Sequence, residues 1–373
     1  MYSSQDLTFM RHALMLAAKG MNTTTPNPRV GCVLVKNDVI VGEGWHARAG
    51  EPHAEVNAIA AAGRHRAAGA TAYITLEPCS HFGRTPPCAD ALVEAGVARV
   101  VVAMNDPNPR VSGQGLQRLR EAGIDVRCGL LHEEAEDLNP GFIKRMTVGL
   151  PWVRAKTAVS ADGRTALPDG TSQWITGQLA RDDGHAWRAR ACAIVTGIGT
   201  VRKDNPQMTV RAVDTPRQPL RVVVDTRFEI DPQAAVLHSG HALVATCADI
   251  QAPVHQQKAE RFQARGIEVC VVAADAGNGK VDLRALMLLL AERGCNEVHL
   301  EGGAQLTGAM LRHDLIDEWL MYMAPMVMGE GRPMAAGIGA WTALADVPRW
   351  RWKEQSLVGD CLRLRLVKSE PSR

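Results

Sequence analysis

Short apolar runs of strand length alternate with stretches of helical spacing through the first part of the chain. An amphipathic stretch begins near Gln5 and is stopped by Gly20. Val30 to Val35 and Val39 to Gly44 read as a hairpin around Asn37-Asp38. An Ala-rich helical stretch runs from His53 to about Ala68. A strand from Thr71 to Leu76, a helix from Pro87 to Ala95 and a strand from Arg99 to Ala103 come next. A helix near Gly115 to Ala122, a short strand from Ile124 to Val126 and a helical stretch from Leu130 to Arg145 complete the series. This alternation predicts a three-layer α/β/α domain with a mixed sheet. Gly149-Leu150-Pro151 punctuates its end, so a first domain is expected over residues 1–147 and a second over 151–373.

The second part starts afresh at Trp152-Val153-Arg154-Ala155-Lys156 and has its own alternation. Strands are expected at 193–196, 221–225, 242–245, 268–272, 297–301 and 318–323, with a last one from Cys361 to Val367. The whole is therefore α/β, in two domains, without internal repeat or low-complexity segment.

Composition adds limits. With 46% apolar and 22% charged residues in 373, each half can bury a core. A net charge of +2 advertises no basic face for nucleic acid. No stretch approaches the ~20 apolar residues of a membrane span. The apolar run Ala13 to Ala18, between Arg11-His12 and Lys19, is too short for a secretory signal. Nine cysteines, an odd number spread along the chain, argue for a reducing cytoplasm rather than a disulfide framework.

The candidate chemistry begins at Pro52-His53-Ala54-Glu55, followed by Pro78-Cys79 and by Cys88 after Pro86-Pro87. One imidazole and two thiols can bind Zn²⁺ and leave a fourth position open, which is the catalytic rather than the structural pattern. Glu55, two residues from the histidine, can move a proton without binding metal. This is the arrangement of zinc deaminases, in which an activated water displaces ammonia. The eight residues between the two cysteines depart from the usual two and read as a loop of turn formers, Ser80 to Pro87, closing over a site.

In the second half, Gly197 and Gly199, Gly302-Gly303, and Gly329 and Gly331 fall where strands are expected to give way to helices, suiting backbone N–H contacts to phosphate. The third glycine position of the dinucleotide fingerprint is Arg202, so a standard Rossmann domain is not supported. Composition and spacing alone stop at a phosphorylated or nucleotide ligand.

Both halves resemble one family, the bifunctional pyrimidine deaminase/reductases of bacterial riboflavin biosynthesis. The first half carries Pro26-Asn27-Pro28-Arg29-Val30-Gly31, Gly44-Trp45-His46, Glu77-Pro78-Cys79-Ser80-His81, Gly83-Arg84-Thr85-Pro86-Pro87-Cys88 and Asp106-Pro107-Asn108-Pro109. The second carries Ser160-Ala161-Asp162-Gly163-Arg164, Ser172-Gln173-Trp174-Ile175-Thr176, Asp204 to Arg211 and Glu301-Gly302-Gly303. The long loop between the cysteines is a feature of this family.

The resemblance implies a cytidine-deaminase-like N-terminal domain and a dihydrofolate-reductase-like C-terminal domain. It implies zinc-dependent deamination of 2,5-diamino-6-ribosylamino-4(3H)-pyrimidinone 5′-phosphate, then NADPH-dependent reduction of the ribosyl chain to ribityl. It makes His53, Cys79 and Cys88 the metal ligands and Glu55 the catalytic carboxylate. Asn27, His46 and the loop from His81 to Thr85, with Arg84 towards phosphate, become contacts of the pyrimidine ribonucleotide. It assigns Ala158, Trp174, Thr200, Asp204, Thr226 and the turn Gly303, Ala304, Gln305, Leu306, Thr307, Gly308 and Ala309 to NADPH. It assigns Ser172, Arg188, Met208, Arg211 and Glu301 to the second substrate, with Lys156 and Asp162 orienting the opened sugar. Arg227 is a candidate for the 2′-phosphate. A homodimer or tetramer is implied, with no nucleic-acid or membrane partner.

Val159 and Ala161 depart from the family pattern, Phe82 replaces a common tyrosine and Met208 a leucine. The alternatives left open are a chain active only as deaminase, and a different nucleoside or nucleotide deaminase.

Overall fold

The structure, a computed structural model, describes residues 2–80, 87–109 and 111–369. It divides into two compact units, Met1–Leu150 and Pro151–Arg373.

The first unit comprises α1 (Ser4–Ala18), β1 (Gly31–Lys36), β2 (Val39–Trp45), α2 (Ala54–Ala62), α3 (Arg64–Ala67), β3 (Thr71–Ile74), α4 (Cys88–Glu94), β4 (Arg99–Val102), α5 (Gln114–Glu121), β5 (Asp125–Cys128), α6 (His132–Leu138) and α7 (Pro140–Val148). Its sheet has the order β2-β1-β3-β4-β5. β1 runs antiparallel to β2 and β3, whereas β3, β4 and β5 are parallel. The apolar runs fill it as their composition requires: Cys32, Val33 and Leu34 of β1 and Val100, Val101 and Val102 of β4 are all fully buried.

Two expected helices are each broken in two. The Ala-rich stretch ends at Gly63, whose φ of +73° no helix accommodates, and resumes as α3. The stretch from Leu130 to Arg145 is interrupted at Asn139-Pro140. Proline disfavours helix at the residue before it, and serves well as the first residue of α7. Asn139 is not idle there: its side chain accepts the Arg29 N–H at 2.8 Å and donates to the Arg29 carbonyl at 2.9 Å.

The second unit comprises β6 (Trp152–Ser160), β7 (Arg164–Ala166), α8 (Gln178–Arg190), β8 (Ala193–Gly197), α9 (Ile198–Asp204), β9 (Leu220–Val224), β10 (Ala242–Thr246), α10 (Pro253–Ala264), β11 (Ile267–Val271), α11 (Leu283–Glu292), β12 (Glu297–Leu300), α12 (Ala304–Arg312), β13 (Glu318–Ala324), β14 (Arg332–Pro333), β15 (Trp350–Val358) and β16 (Cys361–Lys368). The main sheet has nine strands in the order β11-β10-β9-β8-β12-β6-β13-β16-β15. It is parallel from β11 through β13, and β16 then runs antiparallel to both of its neighbours. β7 and β14 form a small separate ribbon.

The glycines at 329 and 331 lie between β13 and β14, so they mark a strand-to-strand connection and not the helix start expected of them. β15 is an addition to the expected strands. As an edge strand it exposes Trp352 and Leu357 and carries charge at Arg351, Lys353 and Glu354, so no alternation into a core announces it.

A polar seam lies between α8 and the sheet. Arg154, fully buried, reaches Glu297 at 3.0 Å and Glu318 at 2.9 Å. Arg190 joins Glu297 at 2.7 Å, and Arg365 joins Glu318 at 2.7 Å. The Trp187 ring receives the Arg154 and Arg365 guanidiniums at 4.7 and 4.9 Å from its centroid. Burial alone would raise the Glu318 carboxyl; Arg154 and Arg365 reverse this and hold it at about 2.

Candidate active sites

In the first unit, three donors converge at the carboxyl end of β3. His53 caps α2, Cys88 opens α4, and Cys79 lies between β3 and α4. His53 Nδ1 lies 3.2 Å from Cys88 Sγ and 3.7 Å from Cys79 Sγ. All three donor atoms lie within 4.8 Å of one another. Two thiols and one imidazole at this separation suit tetrahedral zinc with one position to spare. The Cys88 N–H donates to Cys79 Sγ at 3.3 Å, and hydrogen bonds from Cys88 and from His53 hold the Cys79 thiol down, at about 4. The hydrogen bond to that sulfur, and burial, push the Cys88 thiol up.

Glu55 stands in the first turn of α2, 3% exposed and outside the three-donor cluster. Burial pushes its carboxyl up to about 7, and the neighbouring Cys79 sulfur adds to the rise. His46, 2% exposed, stands with its ring centroid 5.2 Å from that of His53. Its Nδ1 is 3.2 Å from the Pro52 carbonyl, which can only accept, so Nδ1 carries the proton. Its Nε2 therefore accepts from Asn27 Nδ2 at 3.0 Å. Burial lowers the His46 pKa, in keeping with a neutral ring. Asn27 and His46 are thus brought together beside His53. Phe82, Arg84 and the rest of the expected contact loop from His81 to Thr85 lie outside the described residues.

A carboxylate not singled out in the sequence supports Cys79 from behind. Glu77, 5% exposed, accepts the backbone N–H of Asp106 at 3.0 Å, Gly113 at 2.9 Å, Gly115 at 2.9 Å and Leu116 at 3.3 Å. Gly115 must be a glycine: a Cβ there would lie 2.0 Å from the Pro78 carbonyl oxygen. The Glu77-Pro78-Cys79 string was visible, but only the fold shows which N–H groups the carboxylate gathers.

In the second unit, a cavity of about 1290 Å³ opens at the carboxyl ends of the parallel strands, where α/β sheets bind ligands. Ala158, Trp174, Thr200, Asp204, Thr226, Gly303, Ala304, Gln305, Leu306 and Ala309 line it, as do Ser172, Arg188, Met208 and Glu301. Thr307 and Gly308 do not. Thr307 is 1% exposed and donates to the Gly302 carbonyl at 3.3 Å, and Gly308 packs where a Cβ would meet the Ala336 carbonyl oxygen. They lie on the buried face of α12, whose periodicity turns them away. Arg211 is exposed and outside the lining; its N–H donates to His185 Nδ1 at 3.2 Å. Asp162 is also outside it, its carboxylate taken by the Ser160 hydroxyl and the N–H groups of Met328 and Gly329. Arg227 lines the cavity but is largely exposed and paired to Glu229 at 3.2 Å.

Arg188 from α8 donates to Glu301 Oε1 at 2.5 Å and Oε2 at 2.8 Å, a forked pair. Burial would raise the Glu301 carboxyl, but the Arg188 charge holds it well below the usual carboxylate range. Lys156, on the same wall, has its pKa lowered by burial. His299, fully buried and 3.5 Å from Glu301 Oε1, is pushed down to about 3 by burial and is neutral. Trp174 is 66% exposed and carries the Arg181 guanidinium 4.4 Å over its ring, so it is a cavity wall and not core. The turn from Asp275 to Lys280 also lines the cavity. Its Gly277-Asn278-Gly279 marks a turn in the sequence, but nothing local says which crevice that turn borders.

Residues 3–104 match the family described as the cytidine and deoxycytidylate deaminase zinc-binding region. Residues 151–370 match the RibD C-terminal domain. A deaminase unit thus precedes a reductase unit in one polypeptide. The chain is 45% identical to the riboflavin biosynthesis protein RibD of Escherichia coli K12, covering 97% of this chain and 99% of that one. It is 44% identical to the RibD protein of Haemophilus influenzae, covering 97% of each. Among solved structures it is similar to RibD of Acinetobacter baumannii (form 1), with TM-score 0.88, 40% identity and coverage of 98% and 99%. It is also similar to a diaminohydroxyphosphoribosylaminopyrimidine deaminase/5-amino-6-(5-phosphoribosylamino)uracil reductase of Thermotoga maritima, with TM-score 0.84, 33% identity and the same coverage.

The chain belongs to the RibD family of riboflavin biosynthesis. It is an enzyme with a zinc-binding, cytidine-deaminase-like unit and a RibD-type reductase unit, and it acts on a small molecule. Among the described residues, no helix is long and apolar enough to cross a membrane.

Proposed function

We propose that this chain carries out two consecutive steps. The first replaces the 2-amino group of 2,5-diamino-6-ribosylamino-4(3H)-pyrimidinone 5′-phosphate by oxygen from water, with release of ammonia. The second reduces the ribosyl group of that product to ribityl with NADPH. The observation that carries the reading is the convergence of His53, Cys79 and Cys88 with the buried carboxylate of Glu55 beside them, in hydrogen-bond contact with Cys88 but not one of the three donors.

Zinc, when bound by those three side chains, supplies Lewis acidity that makes hydroxide available near neutral pH. Glu55 takes one proton from water at its carboxylate and gives it to the ring nitrogen, then takes the second from the hydroxyl added to carbon and gives it to the amine, which leaves as ammonia. Asn27 and His46 border the pyrimidine, Asn27 meeting it through its amide oxygen and neutral His46 orienting that amide and not acting as an acid.

In the reductase, NADPH supplies the hydride when bound. Ala158, Trp174, Thr200, Asp204, Thr226 and the start of α12 would hold the cofactor, the backbone N–H groups at the start of α12 being suited to phosphate. Ser172, Arg188, Met208 and Glu301 hold the substrate from the cavity wall, and Arg211, outside that lining, reaches it from the exposed 209–211 segment. Glu301 stays ionised beside Arg188. Its part is to accept hydrogen bonds from sugar hydroxyls and not to donate a proton. Lys156 orients the opened sugar from the same wall. The chain works in the cytoplasm as a homo-oligomer, without nucleic-acid or membrane partners.

The test supplies the diaminopyrimidinone nucleotide to zinc-loaded protein and follows ammonia release and NADPH oxidation separately. Release of ammonia followed by NADPH oxidation supports both steps. No ammonia from metal-replete protein sinks the first, and ammonia without NADPH oxidation sinks the second.

A further inference from the structure

The helix that brings Arg188 into the reductase cavity is gripped at a point that lies outside the cavity lining. Asp183, on α8, precedes Arg188 by about one and a half turns. Its carboxylate accepts the Tyr322 hydroxyl at 2.5 Å. It also accepts Arg363, whose Nη1 lies 2.9 and 3.0 Å from its two oxygens. Tyr322 and Arg363 are directly opposed residues of β13 and β16, so two paired strands present their donors to one acceptor. Tyr322 is 1% exposed. Neither residue lines the cavity.

The consequences run along α8. Gly184, next to Asp183, faces Lys156, whose Cε would lie 4.0 Å from a Cβ at that position. The Lys156 ammonium lies 5.7 Å from the Tyr322 ring centroid. His185 accepts the Arg211 N–H at 3.2 Å, and Arg188 donates both to Glu301 and to the Thr209 carbonyl at 3.2 Å. A shift of the helix would therefore move Arg188 and the 209–211 segment together. Ala180 and Trp187 pack α8 against apolar side chains of β13 and β16, and the discrete hydrogen bonds to Asp183 add a directional hold along the helix axis.

We propose that Asp183, held by Tyr322 and Arg363, is a positioning residue of the reductase site that fixes the axial placement of α8 and, through it, the substrate grip of Arg188 and Glu301. This rests on the reading that the cavity reduces the deaminated nucleotide. Tyr322 is the cleaner probe. Its hydroxyl is one of three bonds to Asp183, and removing it leaves the carboxylate paired with Arg363.

The experiment compares full-length, zinc-loaded wild type with Tyr322→Phe and Asp183→Asn. It measures kcat, the KM for the deaminated nucleotide, the KM for NADPH, ammonia release and melting temperature. It also measures nucleotide affinity by calorimetry and amide exchange over 183–190. Loss of a hydrogen bond to a charged group predicts a nucleotide KM and Kd raised about tenfold. Amide exchange in α8 is expected to quicken, while the NADPH KM and ammonia release stay within about twofold. Wild-type nucleotide Kd in both variants overturns the proposal. So does parallel worsening of the NADPH and nucleotide constants with a lowered melting temperature, the mark of a merely structural role. If wild type binds the nucleotide without oxidising NADPH, the functional reading fails instead, and the affinities of the variants still judge the positioning role. Should Asp183→Asn not fold, Tyr322→Phe decides.

Discussion

Arg188 and Glu301, separated by 113 residues, meet through two parallel hydrogen bonds, Nε to Oε1 at 2.5 Å and Nη2 to Oε2 at 2.8 Å. The pair ties the end of α8 to the exit of β12 and fixes a carboxylate in the wall of the reductase cavity. Glu301→Gln is expected to lower NADPH oxidation by about 100-fold, the scale set by misplacing a reacting group by an ångström. Ammonia release should stay within about twofold of wild type. Steady-state assays of the two half-reactions on one preparation check this, and equal losses in both would count against it.

The deaminase unit offers a separation of metal binding from proton transfer. Glu55→Gln should lower ammonia release by about 10²–10⁴-fold, the usual worth of a general acid–base group. Zinc, measured by atomic absorption, should remain near one per chain. Cys88→Ala should lose both metal and ammonia release. Dialysis of wild type against a chelator should abolish deamination while NADPH oxidation with supplied deaminated nucleotide persists.

Gly115→Ala tests the support behind Cys79. The added methyl would fall 2.0 Å from the Pro78 carbonyl oxygen, so the backbone beside a metal ligand must move. A cost of about 1–3 kcal/mol is expected for such overpacking. Zinc should be lost to a competing chelator faster than from wild type, and urea unfolding together with chelator competition measures both.

The ionic seam under α8 predicts an acid response. Glu318 ordinarily titrates at 4.5 and is held at about 2 in the folded chain, so between these values the unfolded chain binds the extra proton. Its contribution to stability is present above pH ~4.5 and is lost as pH falls towards ~2. Denaturant midpoints at several acid pH values should fall along that interval, and Glu318→Gln should flatten the fall. Tryptophan fluorescence reads chiefly the second unit, because Trp45 is the one tryptophan of eight in the first. Arg154→Met should cost about 3 kcal/mol at pH 7, since it removes the buried cation that Glu297 and Glu318 share and leaves each carboxylate with a single arginine, Arg190 or Arg365.

The deaminase centre was readable because each donor stands where a local signal breaks off: His53 after Glu51-Pro52, Cys79 after a strand, Cys88 after Pro86-Pro87. The β1–β2 hairpin was readable, but the rest of the strand order was not, because β3 pairs with β1 through tertiary contact alone. The reductase cavity was read mainly through matched motifs, and helical periodicity then removed Thr307 and Gly308 from its lining. Hardest to foresee was the seam of Arg154, Glu297, Glu318 and Arg365. A charge inside an apolar run ordinarily signals a solvated face, and only packing against α8 reverses that meaning.

The Asn27–His46–Pro52 chain has its direction set by the main chain. A carbonyl cannot donate, so the Pro52 oxygen dictates the tautomer of His46, and His46 dictates which end of the Asn27 amide faces it. The Asn27 carbonyl oxygen is left to meet whatever enters. A backbone oxygen two bonds upstream thereby sorts incoming molecules by whether they can give a hydrogen, a polarity filter that proton concentration cannot reverse while the imidazole stays neutral.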